Sequence, residues 1–122
     1  MSKGGFILFK IGNDKKTIII DKKVDNFDSY DDFLKTIEDV EKQCRYAIVD
    51  ISFETTDNRP TSKMVMVSWI PDTAKIREKM MYAGSKQALQ SSCSGIGIQI
   101  DASDFSDLDF DSMIMPRLLK FS

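Results

Sequence analysis

The sequence predicts one α/β (α+β) domain in which a central five-stranded mixed β-sheet is flanked by α-helices. The chain has 122 residues, which is the size of a single domain. Short segments rich in β-branched and aromatic residues alternate along it with segments whose apolar residues recur at helical spacing. No internal repeat, linker or shift in composition divides the sequence, so residues 1–122 are interpreted as one domain.

Five segments have the composition and length of β-strands. In chain order, they are Phe6–Ile11, Thr17–Ile20, Tyr46–Phe53, Met64–Ile70 and Ile96–Ile100. The first two flank the turn sequence Gly12–Asp14, which predicts a β-hairpin. The third and fourth flank the polar segment Glu54–Pro60, which predicts a second hairpin loop.

A short helix is predicted between the second and third strands. Ser29 has the side chain of an N-cap, and Asp31 and Asp32 follow in the first turn, where the helix dipole favours acidic residues. Apolar residues at helical spacing continue this helix to about Glu41.

A longer helix is predicted between the fourth and fifth strands, with Asp72 or Thr73 as its cap. Ile76, Met80 and Met81 form an apolar stripe that is expected to face the core.

The second half of this helix contains a glycine, which has a low helix propensity. The pair Gly84–Ser85 is expected to bend or interrupt it. Beyond that pair, Ala88 and Leu89 are expected to continue the buried face, and Gly95 is expected to end the helix.

Composition excludes several classes of function. The chain has no histidine, so it contains neither a Ser-His-Asp or Cys-His catalytic arrangement nor a His-ligated metal site. Its two cysteines, Cys44 and Cys93, do not form a Cys-x-x-Cys motif, and so few cysteines suit a reducing compartment. The net charge of −2 offers no general attraction for nucleic acid. No apolar run fits a secretory signal or a membrane span, so we expect a cytoplasmic protein that is not an enzyme.

The tail after the fifth strand carries a cluster of aspartates. Its members are Asp101, Asp104, Asp107, Asp109 and Asp111. A calcium loop of the EF-hand type beginning at Asp107 needs glycine at its sixth position and glutamate at its twelfth, where the chain has Ser112 and Leu118. The cluster is therefore interpreted as an acidic turn that caps the last helix.

The longer helix carries an unusual concentration of cations. These are Lys75, Arg77, Lys79 and Lys86, with Glu78 as the only acid among them. Such a face is either simply solvated or able to orient an acidic partner protein. Methionines at positions 80 and 81 lie beside it, and methionine is common both in cores and at adaptable binding surfaces.

Several segments carry a resemblance to a known family. Trp69–Leu89 reads WIPDTAKIREKMMYAGSKQAL, Cys44–Asp50 reads CRYAIVD, and Phe6–Phe9 reads FILF. With Asp104–Ser112, which leads into the last helix, they resemble the actin-depolymerising factor/cofilin family over nearly all of residues 5–115. The resemblance implies an ADF-homology fold and a monomeric, cytoskeletal actin-binding protein without catalysis, metal or cofactor.

The resemblance also implies which residues contact actin. Arg77 and Lys79 match the basic pair of the family that faces the actin monomer, Lys86 matches its next lysine, and Met80 lies at the apolar contact. Weak binding of phosphoinositide headgroups to the same cations is a further implication, limited by the net negative charge.

The chain departs from the family at its N-terminus. The first strand is predicted to begin near Phe6, so the given sequence is not expected to contain the helix that normally precedes it, and Ser2 is not expected to act as the regulatory serine of the family. The apolar run Leu118–Phe121 or a dimer contact could cover the flank that this helix normally covers.

A second departure concerns the residues that bind filaments in the family. Lys63 is retained without the cation that normally precedes it, and Arg117 and Lys120 are only partial substitutes on the last helix. Pro116 is expected to end or kink that helix near Met115. We therefore expect weakened filament side-binding and severing. The alternative is a module of the glia-maturation-factor branch, which acts on the actin-related branching complex to remove branches.

Overall fold

The computed structural model describes residues 4–25, 29–93 and 96–120. Within these residues the elements are, in chain order, β1 (Phe6–Ile11), β2 (Ile18–Val24), α1 (Tyr30–Glu38), β3 (Arg45–Glu54), β4 (Pro60–Trp69), α2 (Ile76–Ser92), β5 (Ile98–Ala102), a 3₁₀ turn (Phe105–Leu108), a π-helical turn (Phe110–Ile114) and α3 (Met115–Lys120). The expectations that concern Ser2, Gly95 and Phe121 lie outside the described residues.

The strands form a five-stranded mixed sheet in the order β2-β1-β3-β4-β5. β1 is antiparallel to both β2 and β3, and β3 is antiparallel to β4 along its whole length, from Arg45 opposite Trp69 to Glu54 opposite Pro60. β5 is parallel to β4, because α2 carries the chain back across the sheet between these two strands. The predicted fold class is confirmed.

Two strands are longer than predicted. β2 continues through the polar residues Asp21–Lys23 to Val24, and β4 begins at Pro60 rather than at Met64. In both cases the neighbouring strand supplies backbone partners, and this pairing outweighs the low strand propensity of the polar residues. Pro60 is tolerated because it is the first residue of its strand.

Side chains alternate between the two faces of the sheet and form two apolar clusters. On one face, Phe33 of α1 and Leu118 of α3 are completely buried. The apolar C-terminal run that was considered as a cover therefore packs on the α1 face, through Leu118 and Leu119. On the opposite face, Tyr82 and Leu89 of α2 are buried in a second cluster.

The chain accommodates Pro116 near the start of a helix, whereas the sequence predicts a helix that ends or kinks there. α3 begins at Met115, and the turn before it is π-helical, with the Ile114 N–H donating to the Asp109 carbonyl at 3.2 Å. Proline has no N–H to donate, and its ring would clash with a carbonyl in an α-helical turn behind it. Pro116 lies in the first turn of α3, where a missing N–H is tolerated, and the wider π-helical turn behind it leaves room for the proline ring.

Two aspartates of the tail cap these turns, as expected of an acidic segment before the last helix. The Asp104 carboxylate accepts from the Asp107 N–H at 3.3 Å, and the Asp109 carboxylate accepts from the Ser112 N–H at 3.0 Å. In the described part of the chain, no group of three or more His, Cys, Asp or Glu side chains is placed to hold a metal ion.

Candidate functional site

The start of α2 differs from the prediction. The helix begins at Ile76, with Lys75 as its N-cap, and neither Asp72 nor Thr73 caps it. The segment before it continues to hydrogen-bond beyond the end of β5, since the Asp72 N–H donates to the Ser103 carbonyl at 3.1 Å. This pairing holds the Asp72 backbone against the sheet, so the helix begins about one turn later than the sequence predicts.

A polar stripe on α2 fixes the helix to the sheet. It consists of four residues at successive intervals of four, and we call it the docking stripe: Glu78, Tyr82, Lys86 and Gln90. Residues four apart are neighbours on a helix and are offset by about 40°, so the stripe runs obliquely along α2 and its members reach different strands. The sequence interpretation missed this function, although the spacing of these residues could have indicated it.

The first half of the docking stripe binds backbone groups of two strands. A carboxylate oxygen of Glu78 accepts from the Cys44 N–H at 2.7 Å, just before β3. The Tyr82 hydroxyl accepts from the Ile11 N–H at 2.9 Å, at the end of β1. The Tyr46 hydroxyl donates in turn to the Tyr82 carbonyl. These bonds, of which the Glu78 bond is partly buried and the two tyrosine bonds are buried, fix the rotation of α2 about its axis, because leaving a buried donor unpaired costs about 1–3 kcal/mol.

The second half of the docking stripe binds side chains of β5. Lys86 Nζ lies 2.9 Å from the Asp101 carboxylate, and the Gln90 side chain hydrogen-bonds to that of Gln99. Lys86, expected at the actin contact, is therefore directed towards the edge of the sheet and paired within the chain.

The opposite side of α2 presents apolar residues to solvent. Ile76 and Met80 lie one turn apart, and each is 71% exposed. The expectation that they pack into the core with Met81 is wrong for both, because the docking stripe turns them outward. Met81 is half-buried against the α2-side cluster. We call Ile76 and Met80 the apolar ridge.

Two corrections apply to the second half of α2. The helix is continuous through Gly84 and Ser85, and Ala88 is exposed, whereas Leu89 is buried as expected. A glycine within a helix costs only about 1 kcal/mol relative to alanine, which is too little to break a helix anchored on both sides of it.

The basic pair flanks the apolar ridge. At 100° per residue, Arg77 and Lys79 lie on opposite sides of the line through Ile76 and Met80. Arg77 is exposed and forms no ion pair within the described residues. Lys79 is half-buried, with its Nζ 3.4 Å from the Asp72 carbonyl. The structure thus brings Arg77, Lys79 and Met80 together on the first turns of α2.

The cations expected at a filament contact lie on another surface. Lys63 is half-buried on β4, where alternation places it on the face that α1 and α3 cover. Arg117 of α3 donates through Nη2 to the Gln99 carbonyl at 2.9 Å, and Lys120 is exposed at the end of α3. None of the three belongs to the surface formed by the apolar ridge and its flanking cations.

The two thiols of the chain differ in environment. Cys44 is completely buried beside Glu78, and burial together with the nearby carboxylate raises the pKa of its thiol to about 12. Cys93 is half-buried at the C-cap of α2.

We therefore expect iodoacetamide at pH 8 to label Cys93 and spare Cys44 in the native protein, since the thiolate is the reactive form. Peptide mass spectrometry of native and urea-unfolded samples measures this, and rapid native labelling of Cys44 would contradict the burial described here.

In the described residues, no helix is long and apolar enough to cross a membrane. The exposed side of α2 combines apolar residues with cations on both sides, on a helix whose other side is hydrogen-bonded to the sheet.

Comparisons with known proteins agree with this description. A family model described as cofilin/tropomyosin-type actin-binding protein matches residues 2–115. Actin-depolymerizing factor 8 of Arabidopsis thaliana is 40% identical over 106 residues, which cover 87% of this chain and 74% of that protein. Cofilin of Saccharomyces cerevisiae is 42% identical over 110 residues, which cover 89% of this chain and 75% of that protein.

A solved structure agrees in fold. The crystal structure of Streptomyces griseoflavus cofilin matches with a TM-score of 0.77 and 36% identity, over 88% of this chain and 76% of that one. The family resemblance drawn from the sequence is confirmed. The chain therefore belongs to the actin-depolymerising factor/cofilin family of actin-binding proteins.

Proposed function

We propose that the chain binds actin monomers through the exposed side of α2 and thereby promotes filament depolymerisation and turnover. The observation that carries this proposal is the apolar ridge between two cations, on a helix whose other side is fixed to the sheet. Apolar side chains that become buried supply affinity, and charges around them orient an acidic partner. Family membership supports actin as that partner.

The four residues expected at the monomer contact are proposed to act in different ways. Met80 inserts into an apolar site on actin, while Arg77 and Lys79 face acidic groups on either side of it. Lys86 acts mainly by holding α2 in place, because its ammonium group already lies against Asp101.

Filament side-binding and severing are proposed to be weak. Lys63 is half-buried, and the Arg117 guanidinium is already held by the Gln99 carbonyl. Lys120, at the end of α3, completes this candidate filament surface. Partial burial of Lys63 and the bond that holds the Arg117 side chain against β5 limit how far these two cations can adapt to a neighbouring actin subunit.

Sedimentation with actin filaments, combined with native-gel titration of actin monomers, tests this proposal. We expect a monomer complex and a filament affinity at least about tenfold weaker, a difference of about 1.4 kcal/mol. The variant Lys63→Ala/Arg117→Ala should reduce any residual pelleting without changing monomer binding. Strong pelleting of the wild-type protein would refute the weakened filament contact, and no monomer complex would refute the proposed function.

The glia-maturation-factor-like alternative makes a different prediction. A debranching factor releases daughter filaments from branched networks and does not depolymerise unbranched ones. The WIPDTA sequence at Trp69–Ala74 and the identities to actin-depolymerising relatives favour the cofilin type.

We further propose that the protein is a monomer, that it belongs to the cytoplasmic cytoskeleton, and that it binds phosphoinositides weakly at most.

A further inference from the structure

A cleft lies beside the apolar ridge, between the β1–β2 turn and the first turns of α2. It has a volume of about 430 Å³, and we call it the hairpin cleft. Ile11, Met81 and Tyr82 form its apolar side, while Lys15, Lys75 and Arg77 contribute its cations. Arg77 therefore belongs to both the hairpin cleft and the surface around the apolar ridge.

The hairpin cleft has an excess of positive charge. Arg45 also lines it, but the Arg45 guanidinium is paired with Asp21 at 3.0 Å and donates to the Cys44 carbonyl at 2.8 Å. Glu78 is the acid on its wall, and its carboxylate accepts from a backbone N–H. Lys15, Lys75 and Arg77 are exposed and form no ion pair within residues 4–25, 29–93 and 96–120.

The turn that carries Lys15 has a fixed shape. The Gly12 N–H donates to the Thr17 carbonyl at 2.8 Å, and the Asp14 carboxylate accepts from the N–H groups of Lys16 and Thr17 at 3.0 and 2.9 Å. The backbone of Lys15 is left-handed, with φ of 61°, as such a turn requires. The turn thus holds Lys15 at the mouth of the hairpin cleft.

We propose that the hairpin cleft receives an acidic surface segment of the actin monomer, so that Lys15 extends the binding surface from α2 to the β1–β2 turn. This inference rests on the proposed function, because a partner that covers Arg77 also covers the opening of the cleft. Three exposed cations around an apolar wall fit carboxylate side chains whose methylene groups pack on Met81 and Tyr82. A membrane surface fits less well, because the cations surround a concavity and the whole chain is negative.

Charge reversal at neighbouring turn residues tests the proposal. Lys15→Glu places an acid in the hairpin cleft, and Lys16→Glu is the matched control, because Lys16 is also exposed but does not line the cleft. Both variants change the net charge equally and keep the backbone groups that form the turn. We expect Lys15→Glu to weaken native-gel binding of actin monomers about fivefold or more, and Lys16→Glu to change it less than about twofold.

The outcomes separate this inference from the proposed function. If the wild-type protein binds monomers and the two variants behave alike, the hairpin cleft is not a contact and only this inference fails. If the wild-type protein does not bind monomers, both fail.

Flotation with phosphatidylcholine vesicles containing phosphatidylinositol 4,5-bisphosphate measures whether the hairpin cleft binds lipid headgroups instead. If Lys15→Glu lowers vesicle binding selectively but leaves actin binding unchanged, the cleft binds lipid headgroups and the proposal is wrong.

Discussion

Replacing Arg77 and Lys79 together by glutamate is expected to abolish measurable binding to actin monomers. Both cations flank the apolar ridge, so the change removes two attractive charges and introduces two repulsive ones at the centre of the proposed contact. Central charged residues of protein interfaces often contribute about 2 kcal/mol or more each, and the double change corresponds to a loss of about 1,000-fold. Native-gel titration of actin monomers measures it.

The same substitution is expected to leave the melting temperature nearly unchanged. Arg77 is exposed, and Lys79 loses only a long contact of 3.4 Å with a carbonyl. Glutamate in the first turn is also favoured by the helix dipole. Lys35→Glu/Lys42→Glu is a suitable control, because it changes the net charge by the same amount. Both lysines are exposed, Lys35 in α1 and Lys42 just after it. Survival of monomer binding in Arg77→Glu/Lys79→Glu, or an equal loss in the control, would show that α2 is not the contact.

Truncating Tyr82 is expected to destabilise the protein more than any change on the exposed side of α2. Tyr82 is 3% exposed, and replacing a buried aromatic residue by alanine typically costs about 3–5 kcal/mol. Tyr82→Phe keeps the ring but leaves the Ile11 N–H without its partner, which costs about 1–3 kcal/mol. Urea unfolding of the two variants separates the contribution of the ring from that of the hydroxyl.

Met80→Ala provides the matched contrast on the same helix. Its side chain is 71% exposed, so we expect the free energy of unfolding to change by less than about 0.5 kcal/mol while monomer affinity falls. Wild-type stability in Tyr82→Ala, or a large destabilisation in Met80→Ala, would mean that α2 is rotated relative to the orientation described here.

The sheet could be predicted from the sequence because its strands carry a local signal. β-branched and aromatic residues mark β1 and the centre of β3, and the order of elements follows from the alternation of strand and helix patterns. The ends of β2 and β4 could not be predicted, since their polar residues are extended only through pairing with the neighbouring strand. When hydrogen bonds to another strand determine where a strand begins or ends, the local sequence carries little information about that position.

The orientation of α2 was predicted wrongly for a related reason. Periodicity identifies an apolar stripe, and the usual inference is that the stripe faces the core. Here Glu78 and Tyr82 are fixed by backbone donors on β1 and before β3, so the polar stripe faces the sheet and the apolar ridge faces solvent. The family resemblance identified Arg77, Lys79, Met80 and Lys86 as candidates, whereas only the structure shows that Lys86 is paired with Asp101.

Oxidative footprinting of methionines tests the central claim most directly. Met80 is 71% exposed on α2, and Met64 is 46% exposed on β4, outside the proposed contact, so both should oxidise in the free protein. With saturating actin monomers, we predict that the oxidation rate of Met80 falls strongly while that of Met64 stays within about twofold of its free value. Unchanged oxidation of Met80 in a demonstrated complex, or protection of Met64 instead, would contradict the assignment of the actin contact to α2.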